Sequence, residues 1–225
     1  MLTGVDVAEN IRRLEERIAR ACMRAGRSPQ EVTIVAVTKT VPVEWIREAF
    51  RAGIRHFGEN RVQEAERKLH QMADIRPQTI WHMVGHLQTN KVVRALRIFD
   101  TVDSVDSVRL AVCLNERTCK RIPVLLQVNM AGEETKSGFD SGDVLAAARE
   151  IAAMSNLELR GLMTIAPLCR DAEAVRPVFR RLRELRDSLG LAELSMGMSE
   201  DYEVAVEEGA TMVRIGRAIF GERLA

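Results

Sequence analysis

The sequence predicts an α/β protein, a TIM-like (β/α)₈ barrel with one extra helix in front of it. Strand-like apolar runs alternate with helix-like amphipathic segments, and eight strand–helix pairs can be distinguished. No GxGxxG follows the first strand, which argues against an open sheet that binds a dinucleotide. In a closed barrel the chemistry lies where strands end and loops begin.

Each element follows from its local pattern. The extra helix is predicted over 6–27, where Ile11, Leu14, Ile18 and Cys22 recur on one face. The first strand, over 32–39, is rich in β-branched residues, as expected for a strand buried on both faces of a parallel sheet. The later strands are predicted at 54–58, 79–84, 99–104, 122–130, 157–164, 194–198 and 211–216. The helices between them are predicted at 43–52, 61–73, 89–96, 108–119, 142–155, 172–189 and 201–208.

Composition limits the classes of function. The chain has 225 residues, 46% of them hydrophobic, which predicts a single domain over 1–225. A formal charge of +1 gives no general attraction to nucleic acid or to membranes. There is no apolar stretch of membrane-spanning length and no signal-peptide pattern, so we expect a cytoplasmic protein. The four cysteines and four histidines lack metal-binding spacing, so we expect reduced thiols and no metal site.

Lys39 is the first candidate functional residue, because it ends the first apolar strand. Side chains alternate along a strand, so Lys39 shares a face with Val35 and Val37. If that face points into the barrel, the amine lies in a partly desolvated place at the barrel mouth. Such surroundings favour the neutral, nucleophilic amine that Schiff-base chemistry requires. The alternative is a solvated lysine at a strand end.

Arg214 is the second candidate, on the face of the last strand opposite Val213 and Ile215. In a closed barrel the last strand pairs with the first, so Arg214 and Lys39 would be neighbours inside the mouth. Two inward cations without a partner are costly. A bound anionic aromatic ligand would resolve this, and a core carboxylate beside Arg214 is the alternative.

The ends of the last two strands predict an anion site. Gly216 and the turn into Arg217 offer backbone N–H groups, and barrels often hold phosphate at this place. Ser199, in the preceding loop, adds a hydroxyl. The alternative for Ser199 is an ordinary helix N-cap, which the acidic Glu200 and Asp201 favour because they would repel a phosphate.

Other polar residues near strand ends are weaker candidates. They are Asn60, His82, His86 and the stripe of Gln127 and Asn129 that follows Leu125 on one face of the fifth strand. The loop after that strand carries Lys136, which could cover the mouth. Trp45 is expected to pack in the core.

Taken together, these residues and their neighbours resemble the pyridoxal 5′-phosphate (PLP) homeostasis protein family. Its barrel is similar to the N-terminal domain of alanine racemase, the fold-type III PLP-binding group. The matching stretches run in order from Lys39 to the C-terminus: Ala36-Val37-Thr38-Lys39, Phe57-Gly58-Glu59-Asn60-Arg61-Val62-Gln63-Glu64, Trp81-His82-Met83-Val84-Gly85-His86-Leu87-Gln88-Thr89-Asn90-Lys91, Thr101-Val102-Asp103-Ser104, Gly161-Leu162-Met163-Thr164, Leu194-Ser195-Met196-Gly197-Met198-Ser199, Val213-Arg214-Ile215-Gly216 and Ile219-Phe220-Gly221.

The resemblance implies that PLP is the cofactor and that Lys39 forms the internal aldimine with it. It further implies that Ser199, Gly216 and the backbone of Arg217 hold the phosphate, that Arg214 faces the pyridine nitrogen, and that Asn60 lies near the ring. An arginine there leaves the nitrogen unprotonated and makes the cofactor a weak electron sink, which suits a carrier or a racemase better than an aminotransferase.

The family implies a carrier or regulator in PLP and vitamin B6 homeostasis, with PLP-dependent apoenzymes as conceivable partners. Alanine racemases take a second base, a tyrosine, from a C-terminal β-domain. We expect this chain to lack that domain, and its one tyrosine, Tyr202, starts a predicted helix. Efficient catalysis is therefore not expected, and no catalytic residue is assigned. Two alternatives stay open: a single-domain PLP-dependent amino-acid racemase or related enzyme with Lys39 as base, and a phosphosugar isomerase-like barrel without PLP.

Overall fold

Parallel strands close into a barrel in this computed structural model, which describes residues 5–133, 137–169 and 171–222. The strands are β1 Thr33–Val37, β2 His56–Glu59, β3 Ile80–Met83, β4 Thr101–Val105, β5 Ile122–Asn129, β6 Phe139–Asp140, β7 Leu157–Met163, β8 Glu193–Ser195 and β9 Met212–Ile215. The short β6 pairs only with β5, and the other eight described strands form the ring. Pairing of β1 with β9 and of β4 with β5 closes it. The predicted barrel is confirmed.

Helices surround the barrel in the order that the sequence predicts. They are α1 Val7–Arg24, α2 Val43–Arg51, α3 Val62–Gln71, α4 Val92–Ile98, α5 Val108–Arg117, α6 Val144–Ala152, α7 Arg176–Ser188, α8 Tyr202–Glu207 and α9 Arg217–Phe220. The extra helix α1 begins after Asp6, whose carboxylate accepts a hydrogen bond from the N–H of Glu9 at 2.9 Å. Within the described ranges, no helix has both the length and the apolarity needed to cross a membrane.

Two apolar layers fix which way each strand residue points. Val35, Leu125, Met163 and Met212 pack together inside the barrel. Residues that alternate with them, such as Ala36 and Val213, pack between the barrel and the helices. This alternation sets the direction of every polar side chain farther along the same strands.

Some boundaries differ from the prediction. The helix predicted from residue 89 starts with a 3₁₀ turn over Thr89–Lys91, and its α-helical part begins at Val92. The strand predicted over 194–198 ends at Ser195, because the chain turns at Gly197 with φ 94°. A Cβ at Gly197 would lie 2.6 Å from the Cβ of Ala205. This tight turn brings the residues after it to the barrel mouth.

Gly161 in β7 permits a close approach between two barrel strands. A Cβ on Gly161 would lie 2.0 Å from the backbone oxygen of Glu193 in β8. Any side chain would therefore force β7 and β8 apart.

We expect Gly161→Ala to lower the free energy of unfolding by about 3 kcal/mol, because the barrel wall must shift to admit the methyl group. Gly142→Ala is the matched control, since a Cβ at Gly142 meets nothing within 4 Å, and it should change stability by less than about 0.5 kcal/mol. Urea unfolding measures both variants. Equal midpoints for the two would contradict the proposed steric origin.

Candidate functional site

A cavity of about 740 Å³ opens at the carboxyl ends of β1 and β9, beside the loops that follow β2, β7 and β8. Its lining includes all six residues that the sequence predicts for the site: Lys39, Asn60, Ser199, Arg214, Gly216 and Arg217. The chain brings these residues together from four separate stretches of sequence. Their roles toward a ligand stay predictions.

Lys39 lies just beyond the last residue of β1. Val37, two residues earlier on the same strand face, also lines the cavity, so Lys39 is on the interior side as the alternation predicts. The chain turns sharply after it, because Thr40 adopts φ 63°, a left-handed conformation that β-branched residues rarely take. Lys39 itself is half-buried.

Arg214 is buried opposite Val35 across the β1–β9 pairing. Its Nη1 donates to Ser195 Oγ at 2.8 Å and its Nη2 to the Thr164 carbonyl oxygen at 2.7 Å. Among the described residues it forms no ion pair with a carboxylate, so the alternative of a core carboxylate partner is wrong. Burial lowers the pKa of Arg214 to about 10, and the more distant charges of Asp103 and Asp201 oppose this shift. The guanidinium is therefore charged at neutral pH, and its Nε–H has no hydrogen-bond acceptor in the described part of the chain.

Ser199 and Gly216 meet at the start of α9. Gly216 is the residue before that helix, and Ser199 Oγ accepts a hydrogen bond from the N–H of Ala218 at 3.2 Å. Ser199 does not cap α8, whose N-cap is Asp201. The alternative of Ser199 as the N-cap of the helix that follows it is therefore wrong, and its hydroxyl instead accepts from the first turn of α9.

The acidic neighbours are turned to other partners. Glu200 pairs with the exposed side chain of Arg217 at 2.6 Å, and Asp201 Oδ1 accepts from the N–H of Met198 at 2.6 Å. Burial raises the pKa of Asp201. The expected repulsion of an anion by these two carboxylates is reduced accordingly.

Asn60 follows β2 and presents an unused acceptor. Its Oδ1 is buried and has no hydrogen-bond partner among the residues that the structure describes. Its backbone is held tightly against Gly85, where a Cβ would lie 2.5 Å from the Asn60 carbonyl oxygen. Buried acceptors are rarely left unpaired, so a ligand donor is expected here.

The apolar walls of the cavity were not predicted. Trp45, expected only in the core, packs on the core with part of its side chain and also lines the cavity. The opposite wall comes from the loop after β7 and includes Ile165, Leu168 and the free thiol of Cys169. That loop directly follows a predicted strand, so the barrel rule could have identified it.

The polar residues that the sequence analysis singled out on β5 form hydrogen bonds away from the cavity. Gln127 Nε2 donates to the Ser137 carbonyl oxygen at 2.7 Å, and Asn129 Nδ2 donates to that of Glu133 at 2.9 Å. They hold the two described ends of the loop after β5. Lys136, in that loop, lies outside the described residues.

The histidines form two separate pairs with carboxylates. His86 is exposed and bonds Asp106 at 2.6 Å. His82 lies inside the barrel, with Nδ1 2.8 Å from Asp103 Oδ2 and Nε2 2.9 Å from Nδ1 of His56. Burial and the neighbouring His82 lower the pKa of His56 to about 4.

Tyr202 does not line the cavity. It is the first residue of α8, only 2% exposed, with the guanidinium of Arg17 5.4 Å above its ring. Its hydroxyl is thus not available to a ligand at Lys39.

Comparison with known proteins shows which family this chain is similar to. Residues 8–224 match the family described as alanine racemase, N-terminal domain. The chain is 43% identical to the pyridoxal phosphate homeostasis protein of Aquifex aeolicus, over 97% of this chain and 99% of that one. It is 45% identical to the protein of the same name from Pseudomonas aeruginosa, over 96% of each chain. The structure of PipY from Synechococcus elongatus, solved with PLP bound, is 39% identical with a TM-score of 0.80, over 92% of this chain and 99% of that one.

His56 makes stability depend on pH. The unfolded chain protonates His56 near pH 6.5, whereas native His56 stays neutral to about pH 4. Acid in this window therefore favours the unfolded state. Since His56 is partly solvated, we expect wild-type protein to lose about 1–2 kcal/mol relative to His56→Gln between pH 7 and pH 4. Urea unfolding across this range measures the difference, and parallel pH profiles would contradict it.

Proposed function

The chain belongs to the pyridoxal phosphate homeostasis protein family, built on the alanine racemase N-terminal domain, and from this premise we propose that it binds PLP through Lys39 as a carrier or regulator in PLP homeostasis. One observation carries the proposal: the residues expected around PLP line a single cavity. The PLP bound to the related PipY supports the same cofactor.

The residues present fit PLP chemically. The buried cation of Arg214 has no carboxylate partner in the described residues, so an anionic ligand in this cavity would lower the cost of burying it. The unpaired Oδ1 of Asn60 is an acceptor for a ligand donor. Gly216 begins the short turn into α9, and the Ser199 hydroxyl lies within hydrogen-bond distance of that turn.

Each residue then has a distinct task. Lys39 would hold PLP covalently through its Nζ, since an aldehyde condenses with a neutral amine and releases water. Arg214 would face the ring nitrogen and leave it unprotonated, because the guanidinium has no proton to give up at neutral pH. Ser199, Gly216 and the backbone of Arg217 hold the phosphate. PLP itself, when bound, supplies an aldehyde that captures amines and a ring that can accept electrons.

We assign a carrier rather than an efficient enzyme. A two-base racemase needs a second proton donor on the face opposite the lysine. Tyr202 is buried under Arg17 and cannot serve there. Arg214 also weakens the ring as an electron sink. The competing candidate is a PLP-dependent amino-acid racemase or related enzyme that uses Lys39 as its sole base.

The proposal includes the location of the protein, its domain organisation and its partners. We place the protein in the cytoplasm as one PLP-binding domain over 1–225, with PLP-dependent apoenzymes as recipients of the cofactor. The apolar rim of the cavity, with Leu168 89% exposed, leaves the mouth open to such exchange.

Purified protein mixed with PLP should develop an absorbance band near the visible edge, and borohydride should fix the cofactor on Lys39 in a peptide map. Lys39→Ala should lose the band and keep its circular dichroism spectrum. Lys91→Ala, in a 3₁₀ turn away from the cavity lining, is the matched control and should keep both. A label on Lys91 or Lys136, with Lys39 unmodified, would refute the assignment.

Solvent deuterium exchange at the α-carbon of alanine distinguishes the proposed carrier function from the competing racemase function. General acid–base partners contribute roughly 10²–10⁴-fold each, so a protein with one base should exchange only slowly and on one face. We expect slow exchange without racemisation. Mass spectrometry measures the exchange, and chiral chromatography measures the racemisation. Turnover of about 1 s⁻¹ or more, the ordinary range of enzymes, would favour the racemase.

A further inference from the structure

Lys68, on α3 outside the barrel wall, is a buried lysine that the proposed function does not use. It is 7% exposed. Its Nζ donates to the Thr38 carbonyl oxygen at 2.5 Å, to Glu59 Oε1 at 2.6 Å and to Glu64 Oε1 at 2.7 Å. The ammonium is thereby bonded to the backbone of the residue that precedes Lys39.

The residue after Lys39 is held by the same group of side chains. The N–H of Thr40 donates to Glu64 Oε1 at 2.6 Å, the oxygen that Lys68 also binds. The hydroxyl of Thr38 donates to Glu59 Oε1 at 2.7 Å. We call Thr38, Thr40, Glu59, Glu64 and Lys68 the Lys68 clamp. The clamp forms hydrogen bonds to the backbone on both sides of Lys39.

The clamp restrains a strained turn. Thr40 has φ 63°, which is unfavourable for a β-branched residue unless its surroundings impose it. The hydrogen bond from the Thr40 N–H to Glu64 is the direct restraint, and Lys68 fixes the carboxylate that accepts it. Without the clamp, the turn would relax and the Lys39 side chain would leave its direction into the cavity.

The clamp buries charged groups, which costs more free energy than a purely structural contact requires. It buries an ammonium with two carboxylates, and within the described ranges Glu59 Oε2 has no hydrogen-bond partner. Apolar side chains of similar volume commonly replace buried ion pairs without loss of stability. Strain and imperfectly paired polar groups of this kind cluster at functional sites. Burial raises the pKa of Glu59, whereas the hydrogen bonds from Lys68 and Thr40 outweigh burial and lower the pKa of Glu64.

We propose that Lys68 is a positioning residue, which through Glu64 and the Thr38 carbonyl holds the turn at 38–40 so that Lys39 projects toward the aldehyde of PLP. The inference rests on the proposed function for its ligand. Lys68 does not line the cavity and acts only through the backbone around Lys39.

Lys68→Met tests the proposal, because it removes all three donated hydrogen bonds and shortens the side chain by only one heavy atom. We expect the dissociation constant for PLP, from absorbance titration of the apoprotein, to rise at least tenfold. We also expect the rate at which an acetylating N-hydroxysuccinimide ester labels Lys39, without PLP, to change at least threefold by peptide mapping. Glu208→Gln is the matched control. Glu208 is likewise buried and paired with Arg176, Arg180 and Arg183, but lies at the far end of α8, so both readouts should stay at wild-type values.

A second substitution that restores PLP affinity distinguishes a positioning role of Lys68 from general destabilisation of the fold. Glycine adopts φ 63° without strain, so Thr40→Gly added to Lys68→Met should recover at least threefold in PLP affinity. A role confined to stability predicts no such recovery. If Lys68→Met does not fold, Glu64→Gln takes its place, because Glu64 is partly exposed and its amide oxygen accepts more weakly from Thr40. It should weaken PLP binding at least threefold.

A folded Lys68→Met with wild-type PLP affinity and wild-type Lys39 labelling would overturn the proposal, as would the absence of rescue. In the replacement experiment, unchanged affinity of Glu64→Gln would do the same. Failure of wild-type protein to bind PLP at Lys39 would instead refute the proposed function. The acetylation rates would still decide whether Lys68 positions the Lys39 amine.

Discussion

The pairing of β9 with β1 is the constraint on which the site depends. It places Arg214 opposite Val35 and brings the face of β1 that leads to Lys39 beside the face of β9 that carries Arg214. Because side chains alternate along a strand, the apolar residues Val35 and Met212 fill the barrel below, and the cations follow at its mouth. Because these apolar residues fill the interior below, Lys39 and Arg214 line the cavity at the mouth, where a ligand can reach them.

Hydrogen bonding, rather than neutralisation of charge, explains how the barrel tolerates the buried side chain of Arg214. Arg214 is satisfied by a hydroxyl and a carbonyl oxygen, which accept its hydrogen bonds without neutralising it. Asp103 acts on it only at a distance, and its own nearest partners are His82 and Thr101. The buried positive charge at the mouth is therefore left for a ligand anion to complement.

Local patterns predicted the barrel and the inward direction of Lys39 and Arg214, because strand alternation is a property of neighbouring residues. They could not show that Ser199 bonds the N–H of Ala218, since that contact joins a loop to a helix that follows one strand later. Trp45 lies on an amphipathic helix, and periodicity does not distinguish a core side chain from one that also lines a cavity. Lys68 was missed for a related reason. A lysine on a helix is usually solvated, and only the tertiary arrangement shows that this one reaches the turn beside Lys39.

The two halves of the cavity come from opposite parts of the chain, which bears on how the protein is made. Lys39 is synthesised early, but Arg214 and Gly216 emerge from the ribosome only after the other barrel strands. Until β9 docks against β1, the nascent barrel has two open strand edges and no complete ligand site. The proposed cofactor site is therefore complete only in chains whose barrel has already closed.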